Sequence, residues 1–167
     1  MLLQTPRLAI RHFVLSDDEF ILRLLNEPSF LRYIGDRKVR TLDDARTYIQ
    51  NRFIASYAKN GFGLYMVEDK NETPIGMCGL VKRDPNEDAD VGFAFVPEAC
   101  QQGYGYEAAS AVMDYARNKL HLKRILGITV PDNVASIRTL EKLGLRFLRE
   151  DFSKDTNDAI RVYEILL

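Results

Sequence analysis

Tryptophan is absent from this chain, and cysteine and histidine occur only twice each. Cys78 and Cys100 are too few and too far apart for a disulfide framework, and neither sits in a CxxC pair. His12 and His121 are equally isolated, with no HExxH and no cluster of carboxylates at metal-ligand spacing. No metal is therefore expected, and a general base has to be a carboxylate, a backbone carbonyl or bound water. Charge of one sign is lacking too. Against 24 acidic residues stand 23 basic ones, for a net charge of −1, and the densest basic run is Arg37-Lys38-Val39-Arg40. Such a balance disfavours nucleic acid as the main ligand. No apolar run approaches the ~18 residues of a membrane span, and the opening MLLQTPRLAIRHF has no apolar segment of a secretory signal. A cytoplasmic protein without membrane association is expected.

Repeats, low-complexity tracts and Pro/Gly/Ser-rich linkers are missing as well, so residues 1–167 read as a single domain, with 46% hydrophobic residues for its core. Arg7 to Phe13 reads as a first strand. Ser16-Asp17-Asp18-Glu19 reads as a capping box for a helix that Pro28 ends. Thr41-Leu42-Asp43-Asp44 is a second cap, with Leu42, Ala45, Ile49 and Phe53 at helical spacing up to about Lys59. GFGLYMVED and PIGMCGLVKR form a hairpin across Lys70-Asn71-Glu72, and VGFAFV is the next strand. A helix with Ala108, Ala111, Val112, Tyr115 and Ala116 on its apolar face leads to the buried strand RILGITV. Asn133 caps a helix from about Val134 to Lys142, Gly144 ends it, and strands near Arg146–Phe152 and Ala159–Leu167 close the chain. The order β α α β β β α β α β β predicts an α/β protein of the α+β type, a mixed twisted sheet of about seven strands with helices on both faces.

The most informative stretch is DVGFAFVPEACQQGYGYEAA, where an apolar strand runs through a proline into a glycine turn that opens a helix. The first turn of a helix carries backbone N–H groups without intrahelical partners at the positive end of its dipole, and anions sit there. Gly103 and Gly105 add access, because without a Cβ a phosphate reaches the backbone. Each exposed contact is worth only about 0.3 to 1 kcal/mol, so several amides have to converge, which implies a polyphosphate. Gly103-Tyr104-Gly105-Tyr106-Glu107-Ala108 matches GxGxxG/A in form. It fails as a dinucleotide fingerprint, because Pro97 to Gln102 separate strand from glycines and no acid holds a ribose ~20 residues on. Position 128 is Ile128, and Asp132 lies past the strand. A P-loop fails for want of Gly-Lys-Ser/Thr. A purely structural turn stays open on these residues alone.

VGFAFVPEACQQGYGYEAASAVMDYA resembles motif A of the GNAT superfamily of acyl-CoA-dependent N-acyltransferases, and ITVPDNVASIRTLEKLGLRFLRE resembles its motif B, in the right order and spacing. With TPRLAIRHF and PIGMCGLV the whole chain resembles the branch that contains the Rim-type ribosomal-protein N-acetyltransferases. The resemblance implies a mostly antiparallel GNAT sheet with a splayed central strand pair, acetyl-CoA as acyl donor, and an amine acceptor that is a protein N-terminus or a small molecule. The state would be a monomer or homodimer. Motif A implies that the pyrophosphate lies on the main chain of Gln101, Gln102, Gly103, Tyr104, Gly105 and Tyr106, and that Phe95 and Val96 pair with the pantetheine amides. Cys100 departs from the motif's Arg or Gln, and Gln101 stands where glycine is common. Motif B assigns Asn133 a polar contact with coenzyme A and Ser136 a place near its sulfur. Many members carry a tyrosine as general acid where this chain has Leu140, so proton donation to the thiolate passes to Ser136 or water it holds. Asp90 sits where relatives have an acidic residue and is the candidate base; an exposed turn carboxylate beside Glu87 and Asp88 is the other reading.

The expected reaction is direct attack of a neutral amine on the thioester, without a covalent Cys100 intermediate. Neutralising a lysine-like amine of pKa ~10.4 at pH 7 costs about 4.6 kcal/mol, against about 1 kcal/mol for an α-amine of pKa ~7.8, which favours an N-terminal acceptor where no strong base is evident. Residues near Asn26 to Arg40 and the loop Asp151 to Asp158 are expected to shape the acceptor pocket, the loop's acids suiting a cationic amine. A non-catalytic acyl-CoA-binding sensor or scaffold is the alternative from another class.

Overall fold

The computed structural model describes residues 1–167. The chain runs through β1 (Leu3–Gln4), β2 (Leu8–Arg11), α1 (Asp18–Leu25), α2 (Pro28–Tyr33) and α3 (Leu42–Tyr48). A π-helical turn, Ile49–Ile54, joins α3 to α4 (Ala55–Asn60). There follow β3 (Leu64–Asp69), β4 (Pro74–Val81), β5 (Asp90–Phe95), α5 (Tyr104–Asn118), β6 (Arg124–Thr129), α6 (Val134–Lys142), β7 (Arg146–Phe152) and β8 (Ala159–Leu166). All eight strands form one sheet in the order β1-β2-β3-β4-β5-β6-β8-β7. Every pairing is antiparallel except β5 with β6.

Side chains alternate between faces along a strand, yet every residue of β4 from Ile75 to Leu80 is buried, so both faces of the sheet centre are covered. On one face α5 packs across β4 and β5, with α6 beside it on β6. Ala108, Ala109, Val112, Met113 and Ala116 turn inward from α5, small residues that let the helix lie close. A second helical layer is knitted to the sheet by aromatic contacts: Phe13 stacks on Phe53 at 4.4 Å, and Tyr57 on Tyr65 at 5.4 Å.

Local differences from the sequence reading have physical causes. A strand of two residues, β1, carries too little pattern to be seen, and it raises the count from about seven to eight. Ser16 and Glu19 form no capping box; the Asp17 carboxylate instead accepts from Val14 N at 2.9 Å and pairs with Arg11. Pro28 starts a helix rather than ending one, as its missing N–H is harmless at the first position. Thr41 and Asp44 do cap each other reciprocally, at 3.0 and 3.2 Å. Gly144 takes a φ of +97° after α6, as a C-cap requires.

Candidate active site

The turn after β5 is built to leave amides free. A short 3-10 turn, Pro97–Ala99, carries the chain off the strand, and Gln101 and Gly103 then adopt left-handed φ angles of +60° and +81°. The first backbone N–H to find a protein acceptor is that of Glu107, which donates to Gly103 O at 3.0 Å. None of the six amides from Gln101 to Tyr106 donates to a protein group. This exposed row, ending on the positive pole of a 15-residue helix, fits a diphosphate. Gln101 occupies a backbone position that glycine prefers, which is why glycine is common there; its side chain is not needed for amide contacts.

Side chains from the other end of the chain brace the turn. Arg7 Nε donates to Glu107 Oε2 at 2.7 Å and Nη1 to Gln102 O at 2.9 Å, while the guanidinium lies 4.5 Å from the Tyr104 ring centre. Thr5 donates to Glu107 Oε1 at 2.6 Å. The sequence reading missed Arg7 and Glu107, because nothing in spacing links positions a hundred residues apart. Tyr106, one turn along, carries Lys142 Nζ 4.1 Å from its ring centre.

Between β5 and β6 the sheet splits. Their only registered pair is Asp90 with Leu126, so both strands expose an unpaired backbone edge beyond it. Here one expectation is corrected. Val96 N donates to Ile75 O at 3.0 Å and Val96 O accepts from Ala99 N at 2.9 Å, so the Val96 main chain is spent within the protein. Strand alternation turns the N–H and C=O of Phe95 and Phe93 the other way, into the split. Phe95 keeps its N–H unspent, with the Cys100 thiol 3.9 Å from its carbonyl oxygen; Val96 is a buried anchor.

Motif B closes the split from the β6 side. Asn133 Oδ1 caps α6 by accepting from Ser136 N at 3.3 Å, and its side-chain NH₂ has no protein partner. The helix-cap reading of Asn133 holds, and the cap leaves its NH₂ unspent. Ser136 Oγ makes no protein hydrogen bond, whereas Thr139 Oγ1, one turn on, bonds back to Ala135 O at 3.0 Å. A hydroxyl tied to its own helix is therefore not what Ser136 supplies. Leu140 is buried, and its methyls fill the space above Gly127, where a Cβ would stand 2.7 Å from Leu140 Cδ2.

Asp90 is not an exposed turn residue. It begins β5 with only 3% of its surface accessible, and Arg83 holds it through Nε–Oδ2 at 2.8 Å and Nη2–Oδ1 at 3.3 Å. Burial pushes its carboxyl above the ordinary value, and the Arg83 charge pulls back only in part. Cys100 is a poor nucleophile: partial burial and the Glu98 charge push its thiol up, and its Sγ lies 3.5 Å from Val96 O.

A cleft of about 590 Å³ gathers Asp90, Phe93, Asn133, Ser136 and Leu140, together with residues 30–35 and Arg37 of the α2 region, part of α4, and Ser153, Asp155, Thr156 and Asp158 of the β7–β8 loop. Both segments expected to shape the acceptor pocket line it. The glycine turn and Phe95 lie outside its walls. Charge differs from the expectation based on the acidic loop alone. Arg32, Arg37, Arg52, Lys59, Lys82 and Arg83 line the cleft against Asp90, Asp155 and Asp158, so it is cationic on balance.

A split mixed sheet whose parted strands lead to an amide-lined helix start, with the cleft reaching the same split, is the class of fold built here. Matching of the sequence to known families narrows it: the Acetyltransferase (GNAT) domain covers residues 7–146, and the chain belongs to this family of acyltransferase enzymes. It is 27% identical over 154 residues to the uncharacterized N-acetyltransferase YnaD of Bacillus subtilis (strain 168), covering 92% of this chain and 86% of that one. A GNAT-family acetyltransferase from Bacillus anthracis superposes with a TM-score of 0.82 at 25% identity, covering 99% and 98% of the two chains. The same fold, at TM-score 0.86 and 16% identity over 99% and 97%, occurs in RimL, a ribosomal L7/L12 α-N-protein acetyltransferase solved with coenzyme A.

Proposed function

We propose that this protein is an acetyl-CoA-dependent N-acetyltransferase that acts on a primary amine by direct transfer in a ternary complex. The observation that carries the reading is the unbroken row of unpartnered amides from Gln101 to Tyr106 at the end of a strand whose edge is also free. The amides hold the pyrophosphate, the Phe93 and Phe95 main chain extends the sheet against the pantetheine arm, and the free NH₂ of Asn133 bonds it from the opposite wall. When bound, acetyl-CoA supplies a thioester already activated for attack.

The remaining work falls to this chain's side chains. Asp90, whose carboxyl burial holds above its ordinary value while Arg83 pairs with it, takes the proton that the amine loses as its C–N bond forms. Ser136 Oγ, free of protein partners, donates a hydrogen bond to the sulfur as the C–S bond breaks and relays to it a proton that water replaces. Leu140 cannot donate one, which concentrates that step on Ser136 or water it holds. The Rim-type likeness and the arithmetic of amine protonation favour a protein N-terminus over a lysine side chain.

Thiol release from acetyl-CoA in the presence of a panel of primary amines tests the reading, with Ser136→Ala lowering kcat by about tenfold or more and sparing cofactor affinity. Tight coenzyme A binding without release for any amine would instead establish a non-catalytic acyl-CoA sensor, the reading that Leu140 motivates.

A further inference from the structure

The acceptor cleft holds cations that the protein does not use. Most arginines of the chain lie within salt-bridge distance of a carboxylate, Arg7, Arg11, Arg23, Arg40, Arg46 and Arg124 among them. Within the cleft Arg83 is matched to Asp90, and Arg32 reaches Asp132 at 3.4 Å. Arg37 and Arg52 make no ion pair and no side-chain hydrogen bond at all, although Arg37 is half-buried. Both also line a smaller depression of about 260 Å³ that shares Tyr48 and Asn51 with the cleft and takes in Lys38 and Asp44 as well. Lys59 adds a third unpaired cation on the same wall. Unpaired like charges that line one cleft repel each other, and an anion seated among them lowers that cost. Guanidinium forks suit the planar, two-oxygen geometry of a carboxylate.

We propose that the acceptor amine carries a carboxylate, and that Arg37 and Arg52 bind this carboxylate while the amine reaches toward Asp90. The assignment rests on the N-acetyltransferase reading and names its substrate class: an amino acid, or a peptide whose first residues are acidic. Cationic amines are selected against. Asp155 and Asp158 line the same cleft, on a loop whose Thr156 comes close to Gly35, and are too few to reverse the balance, since Lys59 and Lys82 line it as well.

Steady-state thiol release at saturating acetyl-CoA tests this with Ala-Glu-Asp-Ala amide, its neutral counterpart Ala-Gln-Asn-Ala amide, free glutamate and spermidine. The acidic peptide or glutamate is expected to react with a kcat/KM at least tenfold above the neutral peptide and spermidine, and the preferred member of the first two identifies the source of the carboxylate. Arg37→Gln and Arg52→Gln should each raise KM for the acidic acceptor by about tenfold, leaving KM for acetyl-CoA unchanged. Arg52→Glu should move the preference toward spermidine, and added salt should raise KM for the acidic acceptor alone. Preference for spermidine or the neutral peptide would overturn the proposal while leaving the acetyltransferase reading intact. So would acidic turnover that neither glutamine variant affects, or a rise in KM for acetyl-CoA in both. Release with no amine at all would defeat both readings.

Discussion

Arg7 and Glu107, one hundred positions apart, meet in an ion pair of 2.7 Å that ties the turn between β1 and β2 to the first turn of α5. The same guanidinium also holds Gln102 O, so both sides of Gly103 are braced from one residue.

Burial pushes the Glu107 carboxyl up, but hydrogen bonds from Thr5 and Arg7 outweigh it and hold it below the ordinary value. A depressed folded pKa means that the stabilisation is present above the unfolded carboxylate pKa of ~4.3 and is lost as pH falls through the lower folded value. Because Arg7 is partly exposed, the pair contributes about 1 kcal/mol. Glu107→Gln and Arg7→Ala should each lower Tm at pH 7 and raise the acetyl-CoA KM severalfold. Calorimetry at pH 7 and pH 3 should show the gap between wild type and Glu107→Gln narrowing in acid.

Gly103 and Gly105 are separable by substitution. At Gly103 a φ of +81° strains any β-branched side chain, so Gly103→Val disturbs the turn itself. At Gly105 a Cβ meets only the Phe95 and Phe93 rings at 3.7 and 4.0 Å, ordinary contact distances. Gly105→Ala should therefore fold normally yet weaken coenzyme A binding by about tenfold or more through loss of close approach. Titration calorimetry beside a melting curve distinguishes the two, and unaltered affinity in Gly105→Ala would displace the pyrophosphate from this turn.

Gln101 pays a conformational cost of about 1 kcal/mol for its left-handed backbone. Gln101→Gly should leave Tm unchanged or higher and keep coenzyme A affinity within about twofold, as main-chain contacts dictate. A large loss of affinity would show that the glutamine side chain itself takes part.

For Asp90 the informative measurement is a pH profile. A base works only when ionised, and burial raises its pKa, so kcat/KM should begin to fall on acidification at a pH above the usual carboxylate range. Asp90→Asn should lower kcat/KM by about a hundredfold and abolish that acid limb. An unchanged limb would reduce Asp90 to a partner that holds Arg83 in the cleft wall.

Packing above β6 gives a stability test. A methyl at position 127 would intrude on Leu140 and Leu145, with contacts of 2.7 to 3.0 Å. Gly127→Ala should cost about 1 to 3 kcal/mol in denaturant unfolding, and pairing it with Leu140→Ala should recover part of the loss.

Sequence by itself determined the order of the major elements, the family, and the two segments proposed to hold the cofactor. These are local: Thr41 with Asp44, Asn133 with Ser136, and the glycine turn are each written within a few residues, where backbone torsions and capping act. Tertiary structure decided what depends on neighbours distant in the chain. Strand pairing spent the Val96 amide on Ile75 and left that of Phe95 free, a choice invisible without the register. Arg83 and the strand around Asp90 turned a residue that reads as surface into a buried, ion-paired carboxylate. An acidic loop read alone suggested a cationic acceptor; folding set it in one cleft with Arg37, Arg52 and Lys59 and changed the sign of the cleft. Electrostatic potential sums over everything nearby in space, and only the fold says what is near.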